Sequence, residues 1–225
     1  MDSRLRAAVD ASVGWYEDLC ALHGVGSTLV DGLWRALTPP PPLHSDAVVV
    51  EPTVTREQVL GALDGRTHAG FKDSFSTIDL SHWRMEVLFA ATWLYRPPDA
   101  EQSLAAQRNW TVITDVAGLT DWTSHHDTSG VLLPGLLDRA HFKVLAKYQS
   151  GQIVAGAVAR LASGVVDVSN VYAIRGERVD WVELAHEINS LFPGRPMVGY
   201  ERSDELSGAV EAGFIPVGDL RVWVR

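Results

Sequence analysis

The chain is short of cysteine, of positive charge and of long apolar runs, and each shortage removes a class of explanation. Cys20 is the one cysteine among 225 residues, so no disulfide forms within the chain and no thiolate cage for a metal assembles from it alone. Lysine and arginine number 19 against 28 aspartates and glutamates, a formal net charge of -9. That balance provides no broad basic field for a phosphate backbone, which argues against a nucleic-acid partner while leaving room for a local basic pocket. The opening Met1-Asp2-Ser3-Arg4-Leu5-Arg6 leads into residues mixing charge with small apolar groups, without the uninterrupted apolar stretch of a secretory signal or a membrane span. The expectation is a cytoplasmic chain with no membrane partner.

What is present is 46% hydrophobic residues, enough for one large domain or two small ones. From Ala7 to His23 the residues Val9, Val13, Tyr16, Leu19, Cys20 and His23 recur at helical spacing, and Gly24 suits a left-handed C-cap. A second short helix is expected from about Thr28 to Leu37, with a boundary at the extended run Pro39 to Pro42. Ala47 to Val50 reads as a strand, Thr55 to Leu63 as a helix and Val87 to Tyr95 as a buried strand. Arg96 to Asn109 reads as a polar connection carrying at most a short helix, which divides the chain into residues 1–109 and 110–225.

After Trp110 the pattern becomes regular: a strand to Thr114, a short helix over Leu119 to His125, an apolar segment over Leu132 to Leu137, then strands over Phe142 to Tyr148, Ile153 to Leu161 and Val165 to Tyr172. Ser150-Gly151 and Ser163-Gly164 separate the last three and predict tight antiparallel hairpins. Asp180 is placed to cap the next helix, with Glu183 three residues later as in a capping box, and Pro193-Gly194 ends it. Met197 to Tyr200 follows as a strand. Ser203 is expected to cap a helix over Glu205 to Ala212 that Gly213 closes, and Phe214 to Val224 to form a pair of short strands around Gly218.

The order of hairpins, strand, helix, strand, helix and closing strands resembles the GNAT acyltransferase superfamily. Two strings carry the likeness: Ser169-Asn170-Val171 at the end of a strand, and Ala209-Val210-Glu211-Ala212-Gly213-Phe214-Ile215-Pro216-Val217-Gly218, similar to the family's helix ending in Gly-Phe. The resemblance covers about Trp110 to Arg225. It implies a mixed α/β (α+β) fold with a central, mostly antiparallel sheet flanked by helices, preceded by an N-terminal helical and partial α/β region, in which Ala47 to Tyr95 is open to reading as a diverged second copy. It further implies an acyl-CoA donor such as acetyl-CoA, a small-molecule amine as acceptor and no metal, with Asn170, Val171, Arg175, Gly176 and Arg178 as cofactor-binding residues.

The loop that would hold the cofactor departs from the family's pattern. Converging backbone N–H groups at a helix N-terminus bind a diphosphate when glycines let the main chain approach. Here the stretch is Ala173-Ile174-Arg175-Gly176-Glu177-Arg178-Val179-Asp180-Trp181, where only Arg175-Gly176 fits and Arg178 and Asp180 replace small residues. Ala209 stands where many members carry a tyrosine that protonates the CoA thiolate. A charged, solvated turn is the alternative reading of the loop, and a ligand-binding or interaction module, or an enzyme that works without CoA, the alternative reading of the protein.

Polar residues at the ends of the diverging strands are the candidates for chemistry: Asp167, Ser169, Asn170, Tyr200 and Glu201, with Glu201 as general base toward an amine and Tyr200 as general acid. Surface polarity and a core tyrosine is the plainer reading of them. His125-His126-Asp127 invites a metal, but adjacent side chains diverge and no spaced third ligand follows, so a polar turn at a helix end is expected. Cys20 and His23 share a helical face, for which a buried thiol beside a capping histidine is the expectation. Gly70-Phe71-Lys72-Asp73-Ser74-Phe75 reads as either a substrate-facing loop or a turn pinned by two phenylalanines.

Overall fold

The computed structural model describes residues 1–98, 109–174 and 177–225, apart from the side chains of residues 203 and 204. The chain forms two compact units, Met1–Trp93 with Val217–Arg225, and Leu94–Pro216. The connection expected over Arg96 to Asn109 falls mostly on residues 99–108, outside the described residues.

The first unit opens with α1 (Ser3–Leu22), whose N-terminus is capped by Asp2 accepting the Arg4 N–H at 2.8 Å. It ends where Gly24 takes φ +69°. The helix expected over Thr28 to Leu37 is a hairpin instead, β1 (Ser27–Val30) against β2 (Leu33–Ala36). Asp31 and Gly32 join them with φ +49° and +79°, the two positive values of a type I′ turn. The β-branched Thr28 and Val30 and this Asp-Gly pair outweigh the apolar spacing that suggested a helix. No unit boundary falls at Pro39 to Pro42, which lies between β2 and β3 (Ala47–Val49) inside the first unit. A capping box of Thr55 and Gln58 starts α2 (Arg56–Ala62), and β4 (Gly70–Asp73) follows, parallel to β3. β5 (Glu86–Arg96) begins in this unit. The final segment is one strand, β11 (Ile215–Val224), rather than two around Gly218; a side chain at Gly218 would meet Leu5 of α1 at 3.2 Å. Val217–Arg225 returns to the first unit, where β11 runs antiparallel to β4 and the strand order is β1-β2-β3-β4-β11-β5.

Two layers of side chains hold this sheet. On one face Leu33, Val49, Val59, Phe71, Leu80 and Trp223 form an apolar core. Near α1 lies a buried polar array: Lys72 donates to Ser12 Oγ at 2.8 Å, and its ammonium stands 4.7 Å from the Trp93 ring centre and 5.7 Å from that of Tyr16. The string Gly70 to Phe75 is therefore part strand and part turn, and no open loop. Asp73 beside it accepts the Phe75 and Ile78 N–H groups at 3.1 and 2.7 Å. His44 accepts the Trp15 indole N–H on Nε2 at 3.0 Å, while its Nδ1 lies 3.0 Å from the Pro42 carbonyl.

The second unit contains β6 (Trp110–Ile113), α3 (Val116–Ser124), β7 (Phe142–Gln149), β8 (Gln152–Ala162), β9 (Val165–Ala173), α4 (Trp181–Leu191), β10 (Met197–Glu201) and α5 (Ser203–Glu211), with strand order β10-β9-β8-β7-β6. The apolar segment at Leu132 to Leu137 holds a 3-10 turn, Pro134–Leu136. Ser150-Gly151 and Ser163-Gly164 both take paired positive φ, as type I′ hairpins require. β6 to β9 pair antiparallel, and β10 joins β9 in parallel. Ala155, Ala157 and Ala159 of β8, with Val166 and Val168 of β9, pack under Leu184 and Ile188 of α4 and Ala209 of α5. The opposite side chains of the same strands face α3, which buries Leu119 and Trp122. This mixed, mostly antiparallel sheet between helices is the architecture expected for 110–225. The first unit repeats its succession, with hairpin, strand, helix and parallel strand in β1-β2-β3-α2-β4 as in β7-β8-β9-α4-β10.

Trp223 is the residue through which β11 completes the first unit's core. Trp223→Ala is expected to cost about 3–5 kcal/mol, and hydrogen exchange will show the loss in β3 and β4 before it appears in β7 and β8. Burial also holds the His44 ring below its ordinary value of 6.5. The unfolded chain therefore takes up a proton first as the pH falls, so this contribution is full above about pH 6.5 and is lost on going below it. The melting temperature of the wild type is expected to fall more between pH 7 and pH 5 than that of His44→Gln, which keeps an acceptor for Trp15 without the titration.

Candidate functional site: the end of the β9–β10 pair

Between β9 and β10 the ladder runs through Met197↔Val166, Val198↔Asp167 and Gly199↔Val168 and stops there. The last pair needs glycine: a side chain on Gly199 would lie 2.5 Å from the Val168 carbonyl oxygen. On the other edge of β9 the register with β8 slips, from Val158↔Ser169 to Gly156↔Tyr172, so β9 carries one residue more than its partner. Asn170 absorbs the surplus with φ +51°, in the left-handed region that asparagine tolerates better than most residues. From Ser169 to Ala173 the β9 edge facing β10 therefore has no strand beside it among the described residues. The bulge also resets the alternation of side chains. Val171 and Ala173 pack on the α4 core, whereas Tyr172 points to the α3 side.

On that side an aromatic cluster closes over Gly156. The Trp122 and Tyr172 rings meet edge to face at 5.0 Å, and His126 stacks on Tyr172 at 4.7 Å with the planes 10° apart. The Tyr172 hydroxyl donates to the Trp122 carbonyl at 3.2 Å, and the Trp122 indole to the Leu145 carbonyl at 2.8 Å. His126 shares a hydrogen bond with the Asn170 side chain, whose amide nitrogen donates to Ser169 Oγ at 3.2 Å. Burial lowers the His126 pKa from its ordinary 6.5 more than Asp127 and Asn170 raise it, and burial raises that of the Tyr172 hydroxyl.

The sequence candidates divide. Asn170 and Val171 sit at the bulge and its free edge. Asp167 is buried one turn of the alternation earlier, directly opposite Arg160 on β8, whose guanidinium lies 5.7 Å from the Phe142 ring centre. Tyr200 and Glu201 follow the last β10 pair, and the alternation puts Tyr200 on the α3 side with Tyr172 and Glu201 on the α4 side. Arg175 and Gly176 lie outside the described residues. Arg178 lines a cavity of about 520 Å³ together with Lys147, Gln149, Asn109 and Glu177. At the start of α4 the Asp180 carboxylate accepts the Glu183 N–H at 2.9 Å. The Glu183 side chain turns away from a capping box and pairs with Lys147 and Asn109. Ala209 is fully buried, and the neighbouring Gly208 lies so near Trp181 that an added side chain would meet that ring at 3.0 Å.

His125 closes α3 with its ring 2.8 Å from the Asp121 carbonyl oxygen, and among the described residues no three His, Cys, Asp or Glu side chains are grouped to hold a metal ion. Cys20 is buried, and burial pushes its thiol up to about 11, so it is no thiolate at neutral pH. Among the described residues no helix is long and apolar enough to cross a membrane. The linear pattern does not bring Tyr172 forward, and it raises His126 only within a metal candidate that reads better as a polar turn. Tyr172 reaches the cluster only because of the bulge, and His126 lies two residues past the end of α3, where periodicity no longer fixes direction.

Gly156 is the floor of the cluster: an added Cβ would lie 2.3 Å from Tyr172 Cε1 and 2.5 Å from Trp122 Nε1. Gly156→Ala is expected to destabilise the protein by about 1–3 kcal/mol in urea unfolding, and to alter the near-ultraviolet dichroism of the displaced rings.

No protein-family model matches the sequence, and no curated protein sequence does. Solved structures do match. A GCN5-related N-acetyltransferase from Kribbella flavida superposes with a TM-score of 0.63 at 15% identity over 96% of this chain and 95% of its own. A GCN5-related N-acetyltransferase-like protein from Streptococcus suis gives 0.58 at 13% identity over 100% of both chains. An acetyltransferase of the GNAT family from Novosphingobium aromaticivorans gives 0.59 at 12% identity over 88% of this chain and 89% of its own. With the bulged β9, the parallel β10 and the helices on both faces, these likenesses show that the chain has the GNAT fold.

Proposed function

We propose that the second unit transfers an acyl group from acyl-CoA to the amine of a small molecule, as a cytoplasmic enzyme. The observation that carries this reading is the free β9 edge from Ser169 to Ala173, opened by the Asn170 bulge and the end of the β10 ladder. Unpaired backbone N–H and C=O groups in an extended strand bind an extended, amide-bearing chain as a further strand would, and the pantetheine arm is such a chain. The residues present fit that arm. When bound, acyl-CoA supplies a thioester carbonyl open to attack by an amine. Asn170 and Val171 would line the arm, Tyr200 stands on the α3 side of the same opening, and Arg178 and Lys147 put two cations in the neighbouring cavity.

A second reading is a GNAT fold that works without CoA, and two observations favour it. Asp180 occupies an amide of the α4 N-terminus with its own carboxylate, and Glu183 adds a second negative charge to that turn. The buried Ala209 offers no proton for a departing thiolate.

Calorimetric titration with acetyl-CoA and longer acyl-CoAs separates the two. Saturable binding is expected, and Arg178→Glu should weaken it by roughly five- to tenfold, the scale of one exposed charge pair turned to repulsion. Heat no different from dilution at millimolar ligand would remove the transferase reading. An unchanged affinity in Arg178→Glu would remove the cavity as the phosphate end.

A further inference from the structure

The geometry points to His126 as the base that takes the proton of the acceptor amine. This assignment rests on the transferase reading above and replaces Glu201 in that role.

Three observations place the imidazole where such a base must act. It is hydrogen-bonded to Asn170, which lies two residues past the last β9–β10 pair at Val168, so it stands beside the opening that would receive the acyl group. Its plane is fixed by stacking on Tyr172, which is itself held by its hydrogen bond to the Trp122 carbonyl. It lies on the α3 side of the sheet with Tyr200, while the alternation along β10 sends Glu201 to the other side.

The chemistry of the ring suits the task. Asn170 engages one ring nitrogen, which fixes the tautomer and leaves the other to accept a proton. Burial favours the neutral form. The charged and titratable groups around the stacked pair include Asp127 in its own turn, Asp121 and His125 on α3, Tyr172 on β9 and Tyr148 on β7, which with Asp121 acts on the Tyr172 hydroxyl. The exposed Asp121 and Asp127 carboxylates favour an acceptor that arrives as a cation, hence a primary ammonium group. The step itself is a proton transfer: the ammonium N–H bond breaks, its electron pair stays on nitrogen as the attacking lone pair, and the proton passes to the open imidazole nitrogen and then to solvent. General-base catalysis is most effective when the base is unprotonated near the working pH.

The test combines three measurements on the full chain: acetyl-CoA binding by calorimetry, thiol release from acetyl-CoA with spermidine and with tyramine, and nuclear magnetic resonance of the histidine rings assigned through His126→Gln. In the wild type the His126 resonances should titrate below 6.5 and shift when acetyl-CoA is added. His126→Gln should bind acetyl-CoA within about twofold of wild type yet lose about a hundredfold or more in kcat, with little change in KM. The acidic limb of the kcat/KM profile should disappear. Absence of acetyl-CoA binding by the wild type sinks the transferase reading and this one with it. Binding with His126 resonances that do not move, or a His126→Gln rate near that of wild type, sinks the assignment of His126 and leaves the transferase reading standing. The resonance measurement needs no competent acceptor.

Discussion

At Asn170 the backbone turns into the left-handed region and β9 gains one residue over β8. With a regular strand there, β9 would keep its alternation, Tyr172 would turn toward the α4 core, and Val171 would leave that core for the α3 side. The surplus residue therefore does two things at once. It delivers Tyr172 to Trp122 and His126, and it accompanies the end of the β10 ladder beyond Val168. The close approach at Gly199 shows how tightly the two strands are drawn together just before they stop pairing. The cluster is thus a consequence of this local irregularity and the opening lies beside it, so the aromatic rings, the imidazole and the free edge occur within a few residues of one another.

The two units put their parallel pairs to different uses. In the first unit β3 and β4 pair at Ala47↔Phe71 and Val48↔Lys72, and the next residue, Asp73, turns its carboxylate onto the N–H groups of Phe75 and Ile78. Lys72 is enclosed by Ser12, Tyr16 and Trp93. A buried charge without compensation costs several kcal/mol, so these contacts are what make the arrangement tolerable, and they occupy the space with the chain's own groups. In the second unit the corresponding edge stays open among the described residues. The same succession of elements has produced one closed end and one open one.

Much of this was legible in the sequence, for reasons that can be named. Ser150-Gly151 and Ser163-Gly164 announced their hairpins because few residue pairs accept two positive φ values. Asp180 announced α4 because an aspartate before an apolar stripe has few other uses. The hairpin at Asp31-Gly32 carried an equally strong signal that the apolar spacing around it obscured. Other features lay beyond linear reading. Neither the bulge at Asn170 nor the stacking of His126 on Tyr172 follows from periodicity, since both depend on which residues of neighbouring strands lie opposite. Glu183 matched a capping box by position, but the nearby Lys147 amine outcompeted the backbone for its carboxylate. The sequence suggests two strands where β11 is one because Gly218 looks like a turn; in the structure it is the point where Leu5 needs room.

The return of Val217–Arg225 to β4 sets an order on synthesis. Domains generally fold as they leave the ribosome, N-terminal parts first. Here residues 1–93 emerge long before the strand that covers β4, and every residue of the second unit is translated in between. Until then Phe71 lacks the tryptophan that packs beside it, and β4 keeps a bare edge of the kind that invites pairing with another chain. The second unit is complete in the nascent chain before β11 emerges, so the strand that covers β4 is the last to reach the first unit's sheet.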